Sequence, residues 1–139
     1  MDVLTAAVYD VLVNDETLVG MLTDYNGVPA VFTTDPAPGD ATRPYIVTSG
    51  QVSDAAWDTK TGLGRRVMRD IRCYDDADGS VVTIEAIAER VRELFHRQSL
   101  VVSGFGVLVA ICSGPVEADE PDAYGRRVTC QWTMQQTEE

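Results

Sequence analysis

Apolar residues in the first segment of the chain recur at three- and four-residue intervals. These positions are Val3, Leu4, Ala7, Val8, Val11 and Leu12. This spacing predicts an amphipathic helix over residues 3–14, with Asp2 as its N-cap. Asp15 is in the right place to cap a second, short helix over residues 16–21. The N-terminus is therefore predicted to be a helical hairpin.

In the middle of the chain, the apolar residues first recur at every second position, as in strands, and then at three- and four-residue intervals, as in a helix. Residues 45–52 and 65–74 are predicted strands, separated by a polar loop at residues 53–64. In the second strand Val67, Ile71 and Cys73 fall on one face, with Arg69 as the polar exception, while residues 66, 68, 70, 72 and 74 fall on the other. After an acidic turn at residues 75–79, Ser80 is the predicted cap of an amphipathic helix that runs to about residue 97.

The C-terminal third predicts further strands at residues 100–102, 105–116 and 127–135. In the last strand Val128, Cys130, Trp132 and Met134 alternate with polar residues, as in an antiparallel strand with one buried face. Val31 and Phe32 are a candidate short strand, and residues 35–44 a proline-rich loop. The expected fold is a single α+β domain over residues 1–139. It has an antiparallel sheet of about four to five strands, with the helical hairpin and one long helix on one face.

The composition narrows the range of functions. The 139 residues include 22 acidic and 11 basic side chains, for a net charge of −11. A protein that binds duplex DNA over a broad surface needs a basic face, so that class is disfavoured. No apolar run approaches the ~20 residues of a membrane span, and the acidic N-terminus is unlike a signal peptide. The sequence thus predicts no membrane partner.

Candidate catalytic and ligand-binding groups are few. Cys73, Cys112 and Cys130 are an odd number, each inside a strand, and predict small buried hydrophobic residues rather than a disulfide framework or zinc site. The only histidine, His96, is expected on the surface at a helix end. No nucleophile–base set is present, so the sequence predicts neither an enzyme nor a cofactor.

Two glycine-containing segments resemble ligand loops only in part. Asp76, Asp78, Gly79 and Glu85 fit four positions of a calcium loop, but Tyr74 occupies the first ligand position. The favoured interpretation is a strand-to-helix turn. The glycines at positions 62 and 64 lack the P-loop spacing and precede a strand, which is typical of a hairpin tip.

The polar loop and the strand that follows it form the candidate interface. Trp57 lies outside the apolar alternation, so it is either folded back on the core or an interface anchor. The arginines of the next strand pair within the molecule or with acidic groups of a neighbour. The candidate contact residues with a subunit or partner are Trp57, Asp58, Lys60, Leu63, Arg65, Arg66, Arg69 and Arg72.

Several segments together resemble the tail completion, or tail terminator, proteins of long-tailed phages, prophages and gene transfer agents. They are the opening helices VLTAAVYDVLVND and ETLVGML, PYIV at residues 44–47, TKTGLGRR at 59–66 and AIAERVRELF at 86–95. The likeness spans most of the chain. It rests on the order of small and apolar residues rather than on catalytic motifs.

The resemblance implies a structural virion protein. Such a protein would form a ring, usually a hexamer, that caps the tail tube and joins it to the head. Its partners would be further copies of itself, the major tail tube protein and a head completion or connector protein. DNA would pass through the lumen without sequence-specific binding, and assembly would take place in the bacterial cytoplasm. Two alternatives remain. The protein is another head–tail connector or tail-tube component, or it is a small ligand-binding α+β domain.

Overall fold

The computed structural model describes residues 2–33, 37–60, 62–77, 79–118 and 123–137. Within them it contains three helices and seven strands. The helices are α1 (Asp2–Asn14), α2 (Glu16–Val19) and α3 (Val82–Phe95). The strands are β1 (Asp24–Tyr25), β2 (Val28–Pro29), β3 (Val31–Phe32), β4 (Tyr45–Ala56), β5 (Gly64–Asp76), β6 (Phe105–Glu117) and β7 (Ala123–Gln136).

Five strands form one sheet in the order β3-β4-β5-β7-β6, and β1 and β2 form a separate small hairpin. The predicted α+β class and the N-terminal helical hairpin are confirmed. The expectation of a purely antiparallel sheet is wrong, because Val31 and Phe32 of β3 run parallel to β4. The remaining neighbours in the sheet are antiparallel.

The long strands extend beyond their predicted ends. β4 continues to Ala56 and β7 begins at Ala123, since pairing with β5 carries both through polar sequence. The predicted strand at residues 100–102 is wrong, because this segment forms only an isolated bridge between Val102 and Phe105. The sequence also predicts an acidic turn at residues 119–124; residues 119–122 lie outside the described residues, and Ala123 and Tyr124 already belong to β7.

The helices cover one face of the sheet. On that face the predicted alternations are confirmed: Val67, Ile71 and Cys73 of β5 are almost fully buried. The corresponding side chains of β7 are also buried, namely Val128, Cys130, Trp132 and Met134. The ring of Trp132 contacts Phe95 of α3 edge-on, at 5.8 Å between centroids. The opposite face is here called the outer face. Among the described residues, an aromatic cluster that includes Phe32, Tyr45 and Tyr74 covers one end of it.

The cysteine prediction needs correction. Cys112 and Cys130 face each other across β6 and β7 and form a disulfide, with their Cα atoms 4.1 Å apart. Sequence spacing could not show this pairing, because it depends on the register between the two strands. Cys73 is a free thiol, as expected of a buried residue, and burial raises its pKa to about 12.

One carboxylate connects the N-terminal hairpin to α3. Asp15 is the N-cap of α2 and accepts a hydrogen bond from the backbone N–H of Leu18 at 2.9 Å. The guanidinium of Arg90 donates two further bonds to it, at 2.9 and 2.7 Å. These bonds lower the pKa of Asp15 below its ordinary value of 3.8, with the Arg90 contact as the largest cause.

We expect Asp15→Ala to lower the free energy of unfolding by about 1–2 kcal/mol, since it removes both the cap and the ion pair. Asp15→Asn retains a capping oxygen, so its free energy of unfolding should fall by about half as much as that of Asp15→Ala. A depressed pKa stabilises the fold above the unfolded value near 3.8, and this stabilisation disappears as pH falls through the lower folded value. Urea denaturation at pH 7 and pH 3 measures both effects. If Asp15→Asn is less stable than the wild type by the same free energy at pH 7 and at pH 3, the role of the charge is contradicted.

Gly64, the first residue of β5, lies between the backbone of Trp57 and that of Met134 in β7. A Cβ at this position would clash with the carbonyl oxygen of Trp57 and lie 2.7 Å from that of Met134. Both neighbours are backbone atoms and cannot rotate away. We therefore expect Gly64→Ala to cost about 1–3 kcal/mol in thermal unfolding. Gly106→Ala, in β6 with no atom within 4 Å of the added carbon, is the matched control and should be close to neutral.

Candidate functional site

The candidate site is centred on the β4–β5 hairpin, whose distal part, residues 52–66, we call the hairpin end. The predicted loop at residues 53–64 is shorter in the structure, because β4 continues to Ala56 and β5 begins at Gly64. Trp57 N–H donates to the carbonyl of Gly64 at 2.9 Å, and Asp58 accepts from Gly64 N–H at 3.1 Å. The Leu63 carbonyl accepts from the N–H of Gln136 at 2.8 Å, which attaches the turn to β7.

Trp57 lies within its own hairpin. Its indole ring is half-buried, and the Arg66 guanidinium lies over it, 5.9 Å from the ring centroid, in a cation–π contact. Ala55 and Ala56 point to opposite faces of the sheet, and both are exposed. Leu63 is 62% exposed. The hairpin end is therefore uncovered on both faces, although Trp57 itself is partly folded back.

The remaining predicted residues divide between the two faces. Arg65 pairs with Asp54, an intramolecular ion pair on the helix side of the hairpin. Arg69 is buried on the helix side and hydrogen-bonds the hydroxyl of Thr5 in α1, while desolvation lowers its pKa. Arg72 lies on the outer face. Trp57, Asp58, Lys60, Leu63, Arg65 and Arg66 come together at the hairpin end, whereas Arg69 and Arg72 lie further along β5, on opposite faces.

The outer face near Arg72 contains one buried carboxylate. Asp70 accepts a 2.8 Å hydrogen bond from the hydroxyl of Thr129. The guanidinium groups of Arg72 and Arg127 lie 3.9 and 4.0 Å from it. These two arginines are direct cross-strand neighbours, so their mutual repulsion is relieved by the carboxylate between them. The pattern is that of a structural charge cluster.

Sequence reasoning missed a second exposed surface, on β6. Leu108, Val109, Ile111 and Val116 are each about half exposed; we call them the β6 strip. The available signal was the complete lack of charged residues between Phe105 and Val116. The prediction for His96 also changes: it is half-buried, and its Nδ1 accepts a hydrogen bond from the Cys112 N–H at 3.0 Å.

The structure supplies little for ligand chemistry in the part of the chain that it describes. No group of three or more metal-ligating side chains is found among these residues. The calcium-like segment joins β5 to α3, with Asp78 outside the described residues. A cavity of ≈ 690 Å³ between α1 and the β1–β3 region is lined mainly by apolar groups, including Tyr9, Tyr25 and Phe32. None of the described helices has the length and hydropathy to span a bilayer.

Comparison with known proteins agrees with this geometry. A chain from the "virion of native gene transfer agent (GTA) particle" has the same fold, with a TM-score of 0.78 at 24% identity, covering 95% of this chain and 94% of that one. A second solved protein, identified only by a sequence number, has a TM-score of 0.61 at 13% identity, covering 99% and 97%. No curated protein matches the sequence.

The family comparison covers nearly the whole chain. Residues 6–135 match the family described as tail completion protein gp17. The match includes the hairpin end, the β6 strip and all five strands of the main sheet. The protein therefore belongs to the tail completion protein gp17 family of structural, non-enzymatic virion components.

Proposed function

We propose that this protein forms a hexameric ring that caps the tail tube at its head-proximal end and joins the tail to the head. Membership of the tail completion family supports a structural role in the tail. The ring, its position and its partners are inferences. The partners would be neighbouring copies, the major tail tube protein and a head completion or connector protein. Assembly would take place in the cytoplasm of the bacterial host.

The observation that carries the proposal is the uncovered hairpin end. A hairpin of 12- and 13-residue strands ends in side chains that the rest of the chain leaves exposed on both faces. Exposed apolar groups such as Leu63 beside a stacked Trp57–Arg66 pair are typical of interface anchors. We infer that the hairpin end contacts a neighbouring subunit or the tail tube.

Charge supports contact with acidic neighbours. The hairpin end, residues 52–66, contains three basic and two acidic side chains, in a chain whose net charge is −11. Its slightly basic balance favours contact with the otherwise acidic surface of another copy. The acidic balance also disfavours stable binding of phosphates, so DNA would slide through the lumen without sequence-specific contacts.

The proposal predicts that Trp57→Ala combined with Arg66→Glu weakens assembly, because the change removes an aromatic anchor and reverses a charge at the contact. We expect native mass spectrometry to show hexamers for the wild type and mainly monomers for the variant. Negative-stain images of purified tail tubes incubated with each protein should show fewer capped ends for the variant. Binding to purified tube protein and head connector, measured separately, distinguishes a terminator from another connector component.

The matched control changes a similar pair on α3. Val82→Ala with Thr83→Glu also truncates one exposed apolar side chain and adds a negative charge, away from the hairpin end. It should assemble as the wild type does, and thermal unfolding should show that both variants remain folded. Undiminished assembly of the hairpin variant would contradict the placement of the interface. A wild type that neither forms rings nor caps tubes would contradict the ring itself.

A further inference from the structure

Exposed apolar side chains lie at both lateral edges of the sheet, at corresponding heights. Val109 of β6 is opposite Thr133 of β7, which is opposite Arg66 of β5, which is opposite Ala55 of β4. Ala55 of the hairpin end and Val109 of the β6 strip therefore share one row across the sheet, about 14 Å apart at ~4.8 Å per strand spacing. The hairpin end and the β6 strip are two different surfaces of one molecule.

The β6 strip offers side chains rather than an open backbone edge. A terminal strand normally needs protection, since unpaired N–H and C=O groups attract further strands. Here the segment after α3 provides it: Arg97 N–H donates to the Ala110 carbonyl at 2.8 Å, and Cys112 N–H donates to His96 at 3.0 Å. Addition of a further strand at these positions is thus blocked. The exposed apolar side chains remain available for packing.

A groove beside the strip adds depth to this surface. It has a volume of ≈ 440 Å³ and is lined by residues 96–99 on one side and residues 107–111 on the other. Its apolar wall includes Leu108 and Val109, which belong to the strip. A flat apolar strip next to a groove of this size can accept one bulky anchor side chain and the apolar groups around it.

We propose that the hairpin end of one copy docks on the β6 strip and adjoining groove of the next copy, with Leu63 as the anchor. This inference rests on the proposed ring. Leu63 and Val52 are 62% and 53% exposed at the hairpin end, against 46–53% for the four residues of the strip, so both surfaces bury apolar area on contact.

A second copy is the partner favoured by symmetry and charge. Contact between two different surfaces of a subunit is a head-to-tail contact, and such contacts form a ring when the rotation between successive copies closes. A symmetrical strip-to-strip contact would stop at a dimer and leave the hairpin ends exposed. The strip is uncharged, so the general repulsion between copies of net charge −11 is weakest there, and the adjoining groove adds one basic side chain, Arg97, to the contact.

The contact is tested directly by a photo-crosslinking amino acid at position 63 of the full chain, irradiated alone and on purified tail tubes. Peptide mass spectrometry should find adducts between copies that map to residues 96–116. The same probe at position 82, an exposed apolar position on α3, is the control and should give no such adduct. Adducts that map elsewhere, or an absence of adducts between copies in both samples, would overturn the docking proposal.

Surface-blocking variants test the direction of the contact. Leu63→Lys and Ile111→Lys each place a charge in one of the two surfaces, and each alone should weaken self-association by about tenfold or more. A mixture of the two retains one intact pair of surfaces and should yield a 1:1 dimer by native mass spectrometry. Val82→Lys should leave assembly unchanged. No dimer in the mixture, or full association of either single variant, would overturn a head-to-tail contact.

The two proposals fail differently. If rings form but the crosslinks from position 63 map outside residues 96–116, the proposed ring is supported and the docking surface is overturned. Adducts at residues 96–116 in an assembly that is neither a closed ring nor able to cap tubes would support the docking surface and overturn the proposed function. Stoichiometry and adduct position are measured on the same sample.

Discussion

The burial of one sheet face beneath α3 determines the rest of this structure. Trp132 lies fully buried near the middle of β7 and contacts Phe95 at the C-terminal end of α3. Strand side chains alternate with a period of two, so placing Trp132 inward directs every second residue of β7 and its paired neighbours outward. One hydrophobic contact therefore assigns a helix side and an outer face to β5 and β7, whose pairing is uninterrupted, while register shifts in β4 and β6 locally change the alternation.

This assignment accounts for where polar groups are tolerated. Asp70, Arg72 and Arg127 lie on the outer face and partly neutralise one another. Arg69 is on the helix side and is accommodated by a hydrogen bond to Thr5 of α1. A similar pairing joins the helices, because the hydrogen bonds from Arg90 to Asp15 hold the N-terminal hairpin against α3. Asp70 and Asp15 thus have hydrogen-bond partners, which is the usual condition for burying a charged group, whereas among the described residues the indole N–H of Trp132 is buried without one.

The surfaces that remain suit assembly. The sheet is longer than the helical layer that covers it, so the hairpin end extends beyond the covered region while β6 forms one lateral edge. The proposed ring would adhere to its neighbours and to the tube while leaving the DNA inside free to move. An acidic chain with a local basic hairpin end and an uncharged strip separates these requirements in space.

Periodic patterns predicted the elements, but the relations between elements came from packing. The alternation in β5 and β7 and the two long helices could be predicted, because each pattern depends on neighbours a few residues apart. The ends of the second helix were less accurate: a helix capped by Ser80 and running to about residue 97 was expected, whereas α3 spans Val82–Phe95 with Val81 as its N-cap. The family resemblance and the location of the hairpin end followed from similarly local motifs. The parallel pairing of β3, the Cys112–Cys130 disulfide and the capping of β6 by His96 were not readable. Each joins residues brought together only by strand register and loop closure, and a one-residue slip would have removed it.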